Sequence, residues 1–160
     1  MTSERRTLRS AYDRLPLPES NIVGIATGLL LHRARPRRRR TPQRKLGWAL
    51  VGAGLGVNVW AMSAHGPGDP ERPTRLVTAG PYEFSRNPMY LGWHLIQLGV
   101  GVATGSGWVL ATLPVAVAYS HRGIEHEETE LARWFGPEFA CYRASVPRYL
   151  PPSRQNLRGP

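Results

Sequence analysis

Between Asn87 and Ser120 the chain runs 34 residues without an Asp, Glu, Lys or Arg. One straight helix of that length would measure about 51 Å, whereas the hydrocarbon core of a bilayer is about 30 Å thick. Such a run has to fold back on itself. Thr104-Gly105-Ser106-Gly107, near its middle, supplies the turn residues. The pattern predicts a helical hairpin with arms near Met89 to Ala103 and Trp108 to Ser120, the second kinked at Pro114. Each arm is short for a full crossing, so the tip is expected to stop before the far surface.

Leu46 to Ala64 is a second charge-free run, 19 residues long, with Trp48 and Trp60 near its ends. Length and aromatic placement are those of a transmembrane helix. Ser20 to His32 has only 13 such residues, a length that suits a buried or interfacial segment as well as a span. A span is the reading adopted, and extending it through Leu15, Pro16, Leu17 and Pro18 would carry Glu19 into the interface. The mean hydropathy of −0.33 hides these segments, because it averages Arg-rich ends with apolar middles. The fold class that follows is all-α: a polytopic membrane protein of about four transmembrane or re-entrant helices, including a C-terminal helical hairpin followed by a cytosolic helix. Small residues four apart (Gly24/Gly28, Gly52/Gly56, Gly101/Gly105) would let such helices approach closely. Gly52-Ala53-Gly54-Leu55-Gly56 imitates a dinucleotide-binding loop. It lies inside a continuous apolar pattern with no preceding strand, so helix packing is the better account.

The net charge of +10 comes almost wholly from arginine, Lys45 being the only lysine. Eight basic residues fall between Arg33 and Lys45. Beside an apolar span, this loop 33–45 is expected to contact anionic membrane lipids, and no nucleic acid is expected. The same density would hold the loop in the cytosol by the positive-inside rule. The basic residues on the other side are more numerous in total, and the expectation adopted places that side, which holds Arg86, in the cytosol. Arg5, Arg6, Arg9 and Arg14 imitate the start of a signal peptide, but no small-residue cleavage site follows. The organisation read from these features is a basic segment 1–14, a membrane domain 15–150 and a flexible tail 151–160. Cys141 is the single cysteine, which excludes an intrachain disulfide.

Chemistry concentrates in two blocks. Gly80-Pro81-Tyr82-Glu83-Phe84-Ser85-Arg86-Asn87-Pro88-Met89-Tyr90-Leu91-Gly92 stands at the mouth of the long apolar run. The second block holds Glu127-Glu128, Leu131, Phe135-Gly136, Phe139, Tyr142 and Val146-Pro147-Arg148. Ile124, Glu128, Leu131 and Phe135 share one helix face by their spacing, and Gly136-Pro137 is expected to end that helix. An ionised Glu128 on an apolar face needs a partner, either an arginine such as Arg86 or the hydroxyls of a ligand. Glu125 and Glu130 read as ordinary surface acids. His121 and His126 are five apart, not stacked on one face, so no metal site is expected.

Together the two blocks resemble the isoprenylcysteine carboxyl methyltransferase and phospholipid methyltransferase superfamily, over about Leu76 to Leu150. The resemblance implies an integral membrane enzyme that uses S-adenosylmethionine. It implies catalytic roles for Arg86 and Glu128, and cofactor binding by Tyr82, Arg86, Asn87, Pro88, Tyr90, Gly92, Glu127 and Glu128. Asn87 stands where many members have His, which removes a titratable group from that position. On this reading Arg86 holds the carboxylate of the cofactor's methionine part, Tyr82 and Tyr90 face its adenine or sulfonium, and Arg148 closes the water side. Plainer readings are an Arg86 that snorkels to headgroups and tyrosines that mark the interface. The implied reaction passes a methyl group to a lipophilic acceptor entering between helices. No base is evident, which favours an isoprenylcysteine-like carboxylate or a thiolate. The alternatives are a non-catalytic membrane scaffold and an NADPH-dependent membrane reductase.

Overall fold

The computed structural model describes residues 19–33, 41–65 and 75–150. The segments 1–14 and 151–160 and the arginine run 37–40 lie outside them. Among the described residues there are four helices and no strand: α1 Glu19–Arg33, α2 Thr41–His65, α3 Pro88–Thr104 and α4 Gly107–Ser145, with a 3-10 turn at Gly80–Glu83. α3 packs on all three other helices, most extensively on α2, while α1 lies chiefly against α4. One described helix is long and apolar enough to cross a membrane, over Gln43–Ala64. α1 has 15 residues, about 22 Å of helix.

The hairpin turns where the glycines placed it. α3 ends at Gly105, whose φ of 73° is the left-handed cap conformation that favours glycine. Ser106 then starts α4: its hydroxyl accepts from Val109 N (3.2 Å) and donates to the Gly28 carbonyl of α1 (3.1 Å). The helix continues through Pro114. Its one non-helical residue is Gly136, with φ 48° and ψ −118°. The expected stop at Gly136-Pro137 is therefore a break between two helical limbs, since Pro137 suits the first turn of a helix and the second limb resumes at once.

Close packing of α2 on α3 uses a different set of glycines from the expected four-residue pairs. Gly52 and Gly56 face open space, whereas an added Cβ at Gly47 would lie 2.3 Å from Ala103 N, and one at Gly54 2.5 Å from Gly92 O. Gly47, Gly54 and Ala61 recur every seven residues and form the buried edge of α2. Gly24 and Gly28 do pack as expected, against Gln97 and Thr112 and against Val109. The outward side of the bundle is apolar: Val23 and Leu30 on α1, Trp48, Val59 and Trp60 on α2, and Trp108, Val115 and Tyr119 on α4 are exposed.

Inside the bundle the contacts are polar. Asn21 Nδ2 donates to Gln97 Oε1 (2.8 Å) and to His94 Nδ1 (3.0 Å), while Gln97 Nε2 donates to Val109 O and Thr112 Oγ1. His94 and Gln97 thus tie α1 to α3 and α4. At the end of the bundle nearest the turn at Gly80, a small apolar core forms from Ala61, Tyr82, Phe139 and Tyr142, with Leu131 and Phe135 against it. Phe139 and Tyr142 reach this core because the break at Gly136 redirects the second limb of α4.

Candidate active site at the mouth of the hairpin

The segment 146–150 crosses back over the first motif block as a strap. Arg86 N donates to Pro147 O (3.0 Å), and the Arg148 carbonyl accepts from Ser85 Oγ (3.2 Å) and Asn87 Nδ2 (3.1 Å). Asn87 N is in turn held by Ser85 Oγ at 3.1 Å. Backbone bonds of this kind fix the strap without using its side chains, which leaves the Arg148 guanidinium free to reach inward.

It reaches Glu128. Arg148 Nε lies 3.1 Å from Glu128 Oε1 and Nη2 lies 2.8 Å from Oε2, a two-pronged grip. Arg86 Nη2 lies 3.0 Å from the same Oε1, and both side chains of that pair are more than nine-tenths buried. The Ile124–Glu128–Leu131–Phe135 face is therefore observed: Ile124 and Glu128 are buried, Leu131 and Phe135 half-buried. Arg86 Nη1 donates to Arg143 O at 3.3 Å, while Arg86 Nε is buried without a partner. Burial lowers the Arg86 pKa and the Glu128 carboxylate opposes that shift; the hydrogen bond to Glu128 raises that of Arg148. Two guanidinium groups thus converge on the Glu128 carboxylate, and Arg148 also reaches Glu125 at 3.4 Å.

A second pair lies beside the first. Tyr90 Oη donates to Glu127 Oε1 at 3.1 Å. Glu127 keeps exposed surface, yet the protein packed around its carboxyl pushes the pKa up, with the Tyr90 hydrogen bond acting the other way. The Tyr82 ring belongs to the apolar core, and its carbonyl accepts from Tyr142 Oη at 2.8 Å. Burial, with Tyr142 and Glu127 nearby, raises the Tyr82 pKa strongly; burial takes that of Tyr142 up to about 12. Pro88 starts α3 and is buried. Gly92 serves the α2–α3 contact: a Cβ there would lie 2.1 Å from Asn58 Oδ1, and the buried Asn58 amide has no hydrogen-bond partner.

The residues singled out from sequence thus fall into three places: Arg86, Glu128, Tyr90 and Glu127 at the mouth, Tyr82 in the core beneath it, and Pro88 and Gly92 in the helix packing. Asn87 holds the strap. Sequence reasoning missed that Arg148 is the second cation on Glu128, and that Glu125, read as a surface acid, lies 3.4 Å from the same arginine. Its position three residues before Glu128 is the signal that was available.

The sequence model of the phospholipid methyltransferase family matches residues 42–138, from the start of α2 to just beyond the break in α4. The chain belongs to the phospholipid methyltransferase family. Among curated proteins, this family member is 37% identical over 76 residues to the cobalt-zinc-cadmium resistance protein CzcN of Cupriavidus metallidurans, covering 48% of this chain and 35% of that protein. It is 37% identical over 78 residues to the protein-S-isoprenylcysteine O-methyltransferase of Xenopus laevis, covering 48% of this chain and 27% of that enzyme. It is also 30% identical over 79 residues to the methanethiol S-methyltransferase of Crocosphaera subtropica, covering 49% of this chain and 30% of that enzyme. The chain thus aligns with roughly a third of the length of the curated relatives it matches. No solved structure matches it.

Proposed function

We propose that this phospholipid methyltransferase family member is a polytopic membrane enzyme that methylates a lipophilic acceptor with S-adenosylmethionine. The observation that carries the reading is the junction of Arg86 and Arg148 on Glu128 at the mouth of an apolar hairpin. The apolar outer faces of α1, α2 and α4 support residence in a bilayer, because a surface so rich in exposed large side chains is costly in water. The acceptor arrives from the lipid, the catalytic side faces the cytosol, and the arginine-rich loop 33–45 contacts anionic lipid headgroups.

The residues at the mouth suit the cofactor. Arg86 Nε is a buried donor without a partner, on a guanidinium whose other nitrogens are held by Glu128 and by the Arg143 carbonyl. This donor set fits the carboxylate of an amino-acid group. Glu127, with Tyr90 beside it, offers acceptors for hydroxyl or ammonium groups. When bound, S-adenosylmethionine supplies a methyl group already activated on a sulfonium. The protein's part is then positioning, exclusion of water and management of charge. Glu128 fixes both arginines in direction, and the strap carrying Arg148 covers the water side.

The test is binding and transfer in detergent-solubilised protein. S-adenosylhomocysteine should bind in calorimetry, and methyl-labelled cofactor should yield a labelled, organic-extractable product from membranes that contain the protein. Binding of NADPH in place of S-adenosylhomocysteine would overturn the proposal.

A further inference from the structure

A groove of about 710 Å³ runs along α4 from Leu113 and Pro114 to Glu125, with Tyr149 of the strap on its wall. Its ends differ in chemistry. Val117 and Ala118 continue the apolar side, and His121, Arg122 and Glu125, one and two turns further on, make the other end polar. That polar end abuts the candidate active site, because Arg148 joins them: Nη1 lies 3.4 Å from Glu125 and Nη2 lies 2.8 Å from Glu128. An amphiphile lying in this groove would run its tail along residues 113–118 and place its head against the arginine that also grips Glu128.

At that head position three groups lie next to one another. Glu125 Oε1 lies 3.4 Å from His121 Nε2, and the Tyr149 hydroxyl is hydrogen-bonded to His121 Nδ1. In the neutral tautomer that carries its proton on Nε2, toward Glu125, the ring leaves Nδ1 to accept from the hydroxyl. Carboxylate, imidazole and hydroxyl in this order can take up a proton at the hydroxyl oxygen, the carboxylate balancing the imidazolium that results. The Arg86–Glu128 junction makes no use of His121 or Tyr149.

We infer that Glu125, His121 and Tyr149 are the proton-accepting side of the acceptor site, and that the acceptor is a lipophilic thiol. The inference rests on the methyltransferase reading above. A carboxylate acceptor is ionised at neutral pH and has no use for such a relay. An amine headgroup arrives as a cation at a groove end where Arg122 lies on the wall and the Glu125 carboxylate is already engaged by Arg148. A thiol enters an apolar groove uncharged, and neighbouring arginines favour its thiolate. In the reaction the sulfur–hydrogen bond breaks as the new sulfur–carbon bond forms. The thiol proton goes to the Tyr149 oxygen while the Tyr149 proton passes to His121 Nδ1. The methyl group would be the one that bound S-adenosylmethionine supplies, the sulfonium sulfur being left as a neutral thioether.

The experiment compares two acceptors with matched tails, a long-chain alkanethiol and a 4-alkylbenzenethiol, the latter ionising by itself near neutral pH. Wild-type protein in detergent should methylate both. In His121→Gln and Tyr149→Phe, the ratio of alkanethiol to arylthiol turnover should fall about 100-fold, with KM for each thiol within about twofold of wild type. If both thiols lose turnover equally, the three residues merely staple the strap to α4 and the inference is overturned. It is also overturned if wild-type protein binds S-adenosylhomocysteine but methylates neither thiol, an outcome that leaves the broader methyltransferase reading standing. Failure to bind S-adenosylhomocysteine overturns both.

Discussion

Arg86 and Arg148, from opposite ends of the second half of the chain, meet on the single carboxylate of Glu128, at 3.0 Å and 2.8 Å. The two cations would repel one another at this separation, so the carboxylate is what allows the strap and the first motif block to lie together. Removing that charge while keeping the shape isolates its contribution. Glu128→Gln leaves two arginines facing a neutral amide, and breaking a buried pair in this way typically costs about 3–5 kcal/mol. Glu130 touches only the exposed Arg133, at 3.8 Å, so Glu130→Gln should stay within about 0.5 kcal/mol of wild type. Thermal unfolding in detergent separates the two, and equal shifts would show that burial of Glu128 has no energetic consequence.

Arg86→Lys probes the fork rather than the charge. In Arg86, Nη2 faces Glu128, Nη1 donates to Arg143 O, and Nε remains as an unpaired donor. A lysine ammonium cannot serve those three directions from one plane. The variant should still insert into membranes. Its dissociation constant for S-adenosylhomocysteine in calorimetry should rise about tenfold or more, about 1.4 kcal/mol. An unchanged constant would mean that Arg86 secures the strap and leaves the cofactor to other residues.

How far the sequence announced this arrangement depends on the range of the contact. The turn at Gly105-Ser106 was legible because glycine and serine have local reasons to cap helices there. The Glu128 face was legible because helical periodicity is local too. The stop at Gly136 is legible in the sequence but the resumption is not, since whether a chain leaves or re-enters a helix after Gly-Pro depends on what the next segment packs against. Here Phe139 and Tyr142 find Tyr82 and Ala61. Contacts such as Arg148 with Glu128 or Tyr90 with Glu127 join distant positions through the fold, and no local rule selects them from other charged pairs.

Glycine spacing misled for a related reason. Both a four-residue and a seven-residue repeat are present in α2, and only the partner helix decides which is buried. Gly92→Ala should therefore be strongly destabilising, by about 1–3 kcal/mol, since its Cβ would meet Asn58 Oδ1 at 2.1 Å and the Gly54 carbonyl at 2.8 Å. Gly52→Ala and Gly56→Ala face open space and should be neutral or stabilising by up to about 1 kcal/mol. Thermal unfolding of the three variants in one detergent checks the order. Destabilisation by Gly52→Ala to the level of Gly92→Ala would contradict the observed face.

Glu127 gives a pH dependence of definite sign. Its pKa is pushed up mainly by burial of the carboxyl, so the folded protein holds this proton to higher pH than the unfolded chain does. The contribution is fully present below the ordinary carboxylate range, and is lost as pH rises through the raised folded value. Glu127→Gln keeps an acceptor for Tyr90 and removes the titration. The drop in Tm between pH 5 and pH 7, measured without cofactor, should be smaller in the variant than in wild type. A larger drop in the variant would mean that ionised Glu127 is stabilised by its surroundings.

The apolar side of the groove on α4 leads to a final expectation about how the acceptor reaches the site. Leu113, Val117 and Ala118 lie on the charge-free arm, and the polar end of the same groove abuts Arg148. A tail lying along that arm is transferred from water or loose lipid contact into protein contact, one methylene after another. Acceptors with one reactive head and increasing tail length should then gain turnover with each added methylene, until the tail outgrows the groove, by less than the roughly 0.8 kcal/mol that a methylene moved out of water would give. Surface concentrations in detergent or bilayers have to be matched, so that partitioning does not create the trend. Val117→Asp places a charge midway along the tail's path and should flatten the gain beyond that depth while sparing the shortest acceptors. A short, water-soluble head turned over as fast as the longest acceptor would show that the groove does not hold the tail, and that the acceptor enters from the aqueous side.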